Sequence, residues 1–307
     1  MTRQRALLVG SGSFLLLNAI LYFPILRICV ATWTGKNACS VSEILAGNKY
    51  IQNRTKSQAS LQAASRRAES GAAGLTLWET PRGRFWMPQR SDGYIIPLLA
   101  EQENNLYGTG EWGVHAGDIV LDCGANIGVF TEKALSSGAK LVVAIEVAPD
   151  NIECLRRTFE KQILGGSVIV YPKGVWDKDD LLELDTSYSS LDDSVVFHRS
   201  PGTSGIKVPL TTIDKLVSDL KLPRIDFIKM DIEGAERQAL TGARQTIVTY
   251  HPQLAIATEH IRDDAERIPE LVHGMWAGYQ KQCGPCYAMF NRIQPDVDYF
   301  RSPRPRQ

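Results

Sequence analysis

The chain has no surplus of charge: 34 lysines and arginines balance 34 aspartates and glutamates in 307 residues. No whole-molecule field therefore draws it to a polyanion, and no basic stripe interleaved with aromatics marks a nucleic-acid surface. Nucleic acid is not an expected partner. The six cysteines (Cys29, Cys39, Cys123, Cys154, Cys283, Cys286) are scattered, which argues against a disulfide framework. Cys283-Gly284-Pro285-Cys286 has the spacing of a redox dithiol, but it lies near the C-terminus rather than at the start of a βαβ unit. No second cysteine pair completes a zinc site, so it reads as a Gly-Pro turn. The spacing Gly-x-Gly-x-x-Gly is also missing where a dinucleotide would need it.

What stands there instead is Val120-Leu121-Asp122-Cys123-Gly124-Ala125-Asn126-Ile127-Gly128. An apolar run ending in an acid and a glycine-spaced turn predicts a buried strand feeding a helix. Gly124 allows a sharp turn close to a ligand, and Gly128 allows the next helix to pack on the sheet. With Asn126 in the turn and Asp122 expected to point at the ligand, a pyrophosphate would be repelled and a cationic ligand attracted. S-adenosylmethionine is such a ligand.

Residues 6–26 carry no charge and lie between Arg5 and Arg27. As a helix they would reach about 30 Å, enough for a bilayer core. A spanning anchor, a re-entrant helix bent at Pro24 and a cleaved signal peptide all remain open. The absence of an Ala-x-Ala pattern favours an anchor. Lysines and arginines after the run favour a cytoplasmic catalytic domain. The expected organisation is a membrane segment over residues 1–34, a linker over 35–74 and a catalytic domain over 75–307.

Within that domain a hairpin is expected around Thr80-Pro81-Arg82-Gly83, then a helix over 95–107. Strands are expected at 119–122, 141–146, 168–171, 227–230 and 254–258, with extra strands at 181–184 and 207–210. Helices fall between them, one starting at a capping Asp150, one over 212–220, one over 235–250 and one over 264–276. Two closing strands, 279–283 and 287–293, would meet at Gly284-Pro285. Strands alternating with helices predict an α/β doubly wound sheet, mostly parallel with an antiparallel closing hairpin.

Glu146 ends the second strand of that sheet, eighteen positions beyond Gly128, where an acid can accept hydrogen bonds from ribose hydroxyls. Lys229-Met230-Asp231-Ile232-Glu233-Gly234-Ala235-Glu236 brings carboxylates to the end of the fourth strand, with Glu236 also suited to a helix start. Glu259-His260 closes the fifth. His115, His198, His251 and His273 have no comparable placement.

These segments together resemble the FkbM family of S-adenosylmethionine-dependent methyltransferases. The resemblance spans residues 75–293 and rests on Gly117-Asp-Ile-Val-Leu-Asp-Cys-Gly-Ala-Asn-Ile-Gly128, Tyr171-Pro-Lys-Gly-Val-Trp176, Val208-Pro-Leu-Thr-Thr-Ile-Asp214, Ile225 to Glu236 and Glu259-His260. It implies a class I methyltransferase, Rossmann-like fold. It also implies cofactor binding by Asp122, Gly124, Asn126, Gly128 and Glu146, and O-methylation of a hydroxyl on a sugar, glycolipid or other small molecule. The acceptor is thus a small molecule or a glycan- or lipid-linked one. His260 is the expected general base, with Asp231 as rival or orienting partner. A divalent metal held by Asp231 and Glu259 is an alternative, disfavoured because Gly234 stands where catechol-type enzymes carry lysine. A membrane-tethered, non-catalytic scaffold with the same fold is the competing class, against which the strand-end acids argue.

Overall fold

The protein is described by a computed structural model that covers residues 38–70, 74–184, 206–289 and 292–303. Helix α1 (Val41–Ala64) opens it with a reciprocal cap. Ser40 Oγ accepts from the Glu43 N–H, and the Glu43 carboxylate accepts from the Ser40 N–H. Strands β1 (Arg66–Ser70), β2 (Leu75–Thr80) and β3 (Gly83–Pro88) form an antiparallel sheet, turning between β2 and β3 where Pro81-Arg82-Gly83 predicts. Helix α2 (Ile95–Glu103) follows.

The chain then alternates through β4 (Ile119–Cys123), α3 (Val129–Ser136), β5 (Leu141–Ile145), α4 (Pro149–Thr158), α5 (Glu160–Leu164) and β6 (Val168–Tyr171). Short strands β7 (Gly174–Val175), β8 (Asp180–Leu184) and β9 (Ile206–Thr211) pair as a separate sheet. After α6 (Ile213–Asp219) come β10 (Phe227–Met230), α7 (Glu236–Thr241), α8 (Arg244–Tyr250), β11 (Gln253–Ala257) and α9 (Asp264–Met275). The C-terminal strands are β12 (Gln280–Cys283), β13 (Cys286–Met289), β14 (Arg292–Pro295) and β15 (Val297–Arg301).

Seven of these strands make the central sheet, in the order β12-β15-β11-β10-β4-β5-β6. The four inner pairings from β11 to β6 are parallel, and β15 and β12 close the edge antiparallel. Alternation sorts the side chains. Leu121, Cys123, Ile228 and Met230 enter one core with α6 to α9, whereas Val120 and Phe227 enter another with Tyr107, Phe130 and Tyr50 of α1. The fold is thus the doubly wound α/β class with a mostly parallel sheet.

Several expectations change. The helix expected over 235–250 is two helices separated at Gly242, where a Cβ would lie 2.0 Å from the Trp176 carbonyl oxygen. Asp150 is not the cap of α4; Pro149 occupies the first turn and Ala148 the cap position. The closing edge is antiparallel, but its strands differ from the expected ones: β12 pairs with β15, and β13 pairs with β14 apart from the main sheet. Residues 35–74, read as connecting structure with an exposed helix over 52–70 as the alternative, contain α1, a 24-residue helix docked on the domain. Only Ile44, Gly47, Tyr50 and Leu61 of it are buried, too few to print an apolar period in the sequence. Among the described residues no helix is long and apolar enough to cross a membrane. The expected membrane segment, residues 6–26, lies outside the described residues.

The scattered cysteines are also not all free. Cys39 and Cys286, 247 positions apart, form a disulfide that ties the start of α1 to β13. Such a separation carries no spacing signal. Gly47 lies against the same place, where a Cβ would come within 2.1 Å of the Cys286 carbonyl oxygen. Cross-linking so long a loop restricts the unfolded chain, so Cys39→Ser is expected to lower stability by about 2–5 kcal/mol in urea titration, with the native circular dichroism spectrum kept.

Candidate active site

The ends of β4, β5 and β10 and the turns after them wall a cleft that opens to solvent. Gly124 has φ +77°, and a Cβ there would lie 1.9 Å from the Asp231 carbonyl oxygen. The turns after β4 and β10 touch only because that side chain is absent. Asn126 adopts a left-handed φ of 52°, and its Oδ1 accepts from the Ile127 N–H at 2.8 Å. Its own N–H donates to Glu146 Oε2 at 2.8 Å, while Glu146 Oε1 accepts from the N–H groups of Val147 and Ala148 at 2.7 and 2.8 Å. Glu146 therefore joins the first turn to the start of α4. Burial raises its carboxyl above the usual range despite these three donors. Gly124, Asn126 and Glu146 all line the cleft.

Asp122 and Gly128 do not line it. Asp122 is fully buried, accepts from Thr131 Oγ1 at 2.7 Å and lies 3.4 Å from Lys229 Nζ. Its strand position turns it under α3 rather than toward a ligand, which corrects the orientation expected from the sequence. Gly128, at φ +91°, is needed for packing, since a Cβ would sit 2.2 Å from the Phe159 ring.

Lys229 is the residue that sequence reasoning passed over. It lies opposite Asp122 in the parallel register and is buried. Its Nζ donates to the carbonyls of Gly124 and Cys123 at 2.7 and 3.3 Å and stands 5.1 Å from the centre of the Tyr107 ring. Burial opposes its charge, but Asp122 and Asp231 raise its pKa. A lysine inside the apolar run Phe227-Ile228-Lys229-Met230 was the available signal, because alternation puts it on the same face as Asp122. Tyr107 and Glu101, also in the cleft wall, carried no such signal. Burial pushes Glu101 up to about 7, against the pull of Arg54 from α1, 3.2 Å away.

Asp231 and Glu233 line the cleft with about a quarter to a third of each side chain exposed, 28% and 29%. Tyr107 Oη donates a hydrogen bond to Asp231 Oδ2. His260 stands behind them and does not line the cleft. Its Nε2 is 3.4 Å from both Asp231 Oδ1 and Glu233 Oε2, and its Nδ1 is 3.1 Å from Glu236 Oε1. Burial would lower the imidazole pKa, but Glu236, Asp231 and Glu233 outweigh it and hold the ring protonated well above its ordinary value. Burial likewise opposes the Asp231 charge, yet Lys229, His260 and Tyr107 keep it below the usual range.

Donor atoms of Asp231, Glu236 and His260 fall within 4.8 Å of one another, a set a divalent ion could use. The two ring nitrogens face different carboxylates, however, which suits an imidazolium bridging them better than ligands converging on one ion. Glu259, the other acid considered as an oxygen ligand, is not a member of that set. Burial and neighbouring Asp296, to which it is hydrogen-bonded, push it up to about 9.

Among solved structures, an FkbM methyltransferase from Methylobacillus flagellatus is 21% identical, with a TM-score of 0.49, over 69% of this chain and 56% of that one. The chain thus spans little more than half the length of that relative. TYW2 from M. jannaschii, solved with AdoMet, is 16% identical with a TM-score of 0.43, over 76% and 87% of the two chains. A putative RNA methyltransferase from Pyrococcus horikoshii is 13% identical with a TM-score of 0.34, over 81% and 96%. No curated protein matches. The model of the methyltransferase FkbM domain matches residues 122–284, more than half of the sequence and the whole stretch from the end of β4 to the turn after β12, and the chain belongs to that family.

Proposed function

We propose that the chain methylates a hydroxyl of a sugar, glycolipid or other small molecule, using S-adenosylmethionine. The observation that carries this reading is the pairing, across one cleft, of a carboxylate suited to a ribose with a carboxylate suited to a hydroxyl. Three backbone donors use three of the four acceptor positions of Glu146, leaving one on Oε2 for a ribose hydroxyl. The bare backbone at Gly124 lets the cofactor come close. The carboxylates of Glu101, Asp231 and Glu233 favour its cationic end. Asp122 and Gly128 serve the cofactor from a distance, one through Lys229 and the other through helix packing.

The bound cofactor supplies an electrophilic methyl on a good leaving group, so the protein's task is chiefly alignment, a contribution of about 7–11 kcal/mol when geometry is right. Asp231 takes over the role expected of His260. It faces the cleft as an ionised carboxylate, can orient the acceptor hydroxyl and can accept its proton as the new C–O bond forms. His260, protonated and behind it, compensates three carboxylates. Without it Asp231, Glu233 and Glu236 would repel one another.

The balanced charge of the chain supports a small acceptor over nucleic acid. The Cys39–Cys286 disulfide supports an oxidising compartment, since cytosolic thiol pools keep such pairs reduced.

Calorimetric titration tests the cofactor half. Glu146→Gln is expected to weaken S-adenosylmethionine binding about ten- to hundredfold, the worth of a charged hydrogen bond. No binding to the unaltered protein would instead favour the non-catalytic scaffold. Asp231→Asn is expected to lower kcat at saturating cofactor by about 10²–10⁴; a variant of near-normal turnover removes Asp231 as base. The pH dependence separates the two candidates. His260 has a raised folded pKa, so its charge stabilises the folded site below the unfolded value and is lost only as pH rises through the raised one. At saturating S-adenosylmethionine, where the titration of Glu101 near 7 no longer limits cofactor binding, kcat should therefore show no rise through about 6.5, the ordinary imidazole value, and should fall only at alkaline pH; a rise centred there would return the base role to His260.

A further inference from the structure

Cys283 lies beside the disulfide without belonging to it. Its sulfur, the sulfur of Cys286 and a carboxylate oxygen of Glu43 all fall within 4.8 Å of one another. The three-cysteine arrangement is asymmetric. Cys39 enters from the start of α1, whereas Cys283 and Cys286 flank the Gly284-Pro285 turn between β12 and β13. That turn is fastened independently of α1: the Gly284 N–H donates to the Val297 carbonyl at 2.7 Å and the Asp296 N–H to the Pro285 carbonyl at 2.9 Å. Breaking the Cys39 linkage would thus leave Cys283 and Cys286 together.

We propose that Cys283, Cys286 and Cys39 form an internal thiol–disulfide exchange site that latches and unlatches α1. The Cys283 thiolate attacks Cys286 Sγ, a Cys283–Cys286 bond forms, the Cys286–Cys39 bond breaks, and Cys39 leaves as thiolate. The proton given up by Cys283 ends on Cys39. The sum is an isomerisation, one disulfide and one thiol on each side, so no outside oxidant or reductant is consumed.

The surroundings hold the latch closed at rest. Burial pushes the Cys283 thiol up to about 12, Asp298 and Glu43 add to this, and Lys281, with Nζ 3.4 Å from the sulfur, opposes them. Tyr299 is the remaining ionisable neighbour, its phenol raised by burial and held neutral. Glu43 is also the residue that closes the capping box of α1, so the group hydrogen-bonded to the attacking thiol belongs to the helix that is released. Once unlatched, the segment before α1 retains the Ala38 N–H bond to the Ile293 carbonyl, and α1 retains Gly47 against Cys286 and its contacts on α2, including the Arg54–Glu101 pair at the cleft wall.

Peptide mapping without reduction, after alkylation of the folded protein, tests the exchange. At neutral pH the expected products are the Cys39–Cys286 link and a modified Cys283. As the thiolate fraction grows, the rate at which Cys39 becomes alkylated should rise about tenfold per pH unit, with a Cys283–Cys286 link appearing in step while circular dichroism stays native. Cys283→Ser should abolish Cys39 labelling. Labelling of Cys39 at the unaltered rate in that variant would overturn the proposal, as would its absence in the wild-type chain at every pH where the fold persists. In Cys39→Ser, oxidised glutathione should close Cys283 to Cys286; two persistent free thiols would show that the turn cannot accommodate the second bond.

Discussion

A buried ion pair between neighbouring strands organises the catalytic end of this molecule. Asp122 and Lys229 face each other across β4 and β10 at 3.4 Å, with 0% and 5% of their side chains exposed. Removing one partner of such a pair leaves an uncompensated charge, a cost of about 3–5 kcal/mol. The ammonium does more than neutralise. By donating to the carbonyls of Gly124 and Cys123 it fixes the turn that borders the cleft, and by lying over the Tyr107 ring it helps place the phenol that hydrogen-bonds Asp231. Cofactor turn and candidate base are consequently held by one charge.

The same end of the sheet gathers more carboxylates than it can leave ionised without compensation. Different neighbours sort them. Glu146 is satisfied by backbone donors, Asp231 by Lys229, His260 and Tyr107, and Glu259 shares with Asp296 an environment in which burial favours a proton. His260 becomes intelligible as the cation of a three-acid cluster. Its location is the one expected of a catalytic histidine; its surroundings give it a different task.

Much of this architecture could be read from residues alone. The run Ile119 to Cys123 followed by Gly124 announced a strand and a turn, and the parallel strands fell where apolar runs ended in acids. Glu146, Asn126, Gly124 and Asp231 all reach the cleft because strand ends in a parallel sheet deliver groups to one edge. What stayed hidden depended on partners far away in the chain. Helix α1 buries too little of itself to show a period, β15 pairs by hydrogen bonds no pattern announces, and Cys39 meets Cys286 across 247 positions.

The sequence by itself determined the parallel sheet, its switch from strand to helix at Gly124, and the supply of acids at strand ends, because side-chain alternation and glycine conformation are local properties. Only the tertiary structure decided which acids face the cleft. Asp122 and Asp231 both stand at strand ends, yet register and burial bind the first to Lys229 and Thr131 and leave the second partly exposed beside Tyr107. The tertiary structure likewise decided the protonation of His260, since the charge of an imidazole depends on carboxylates that the fold alone brings around it.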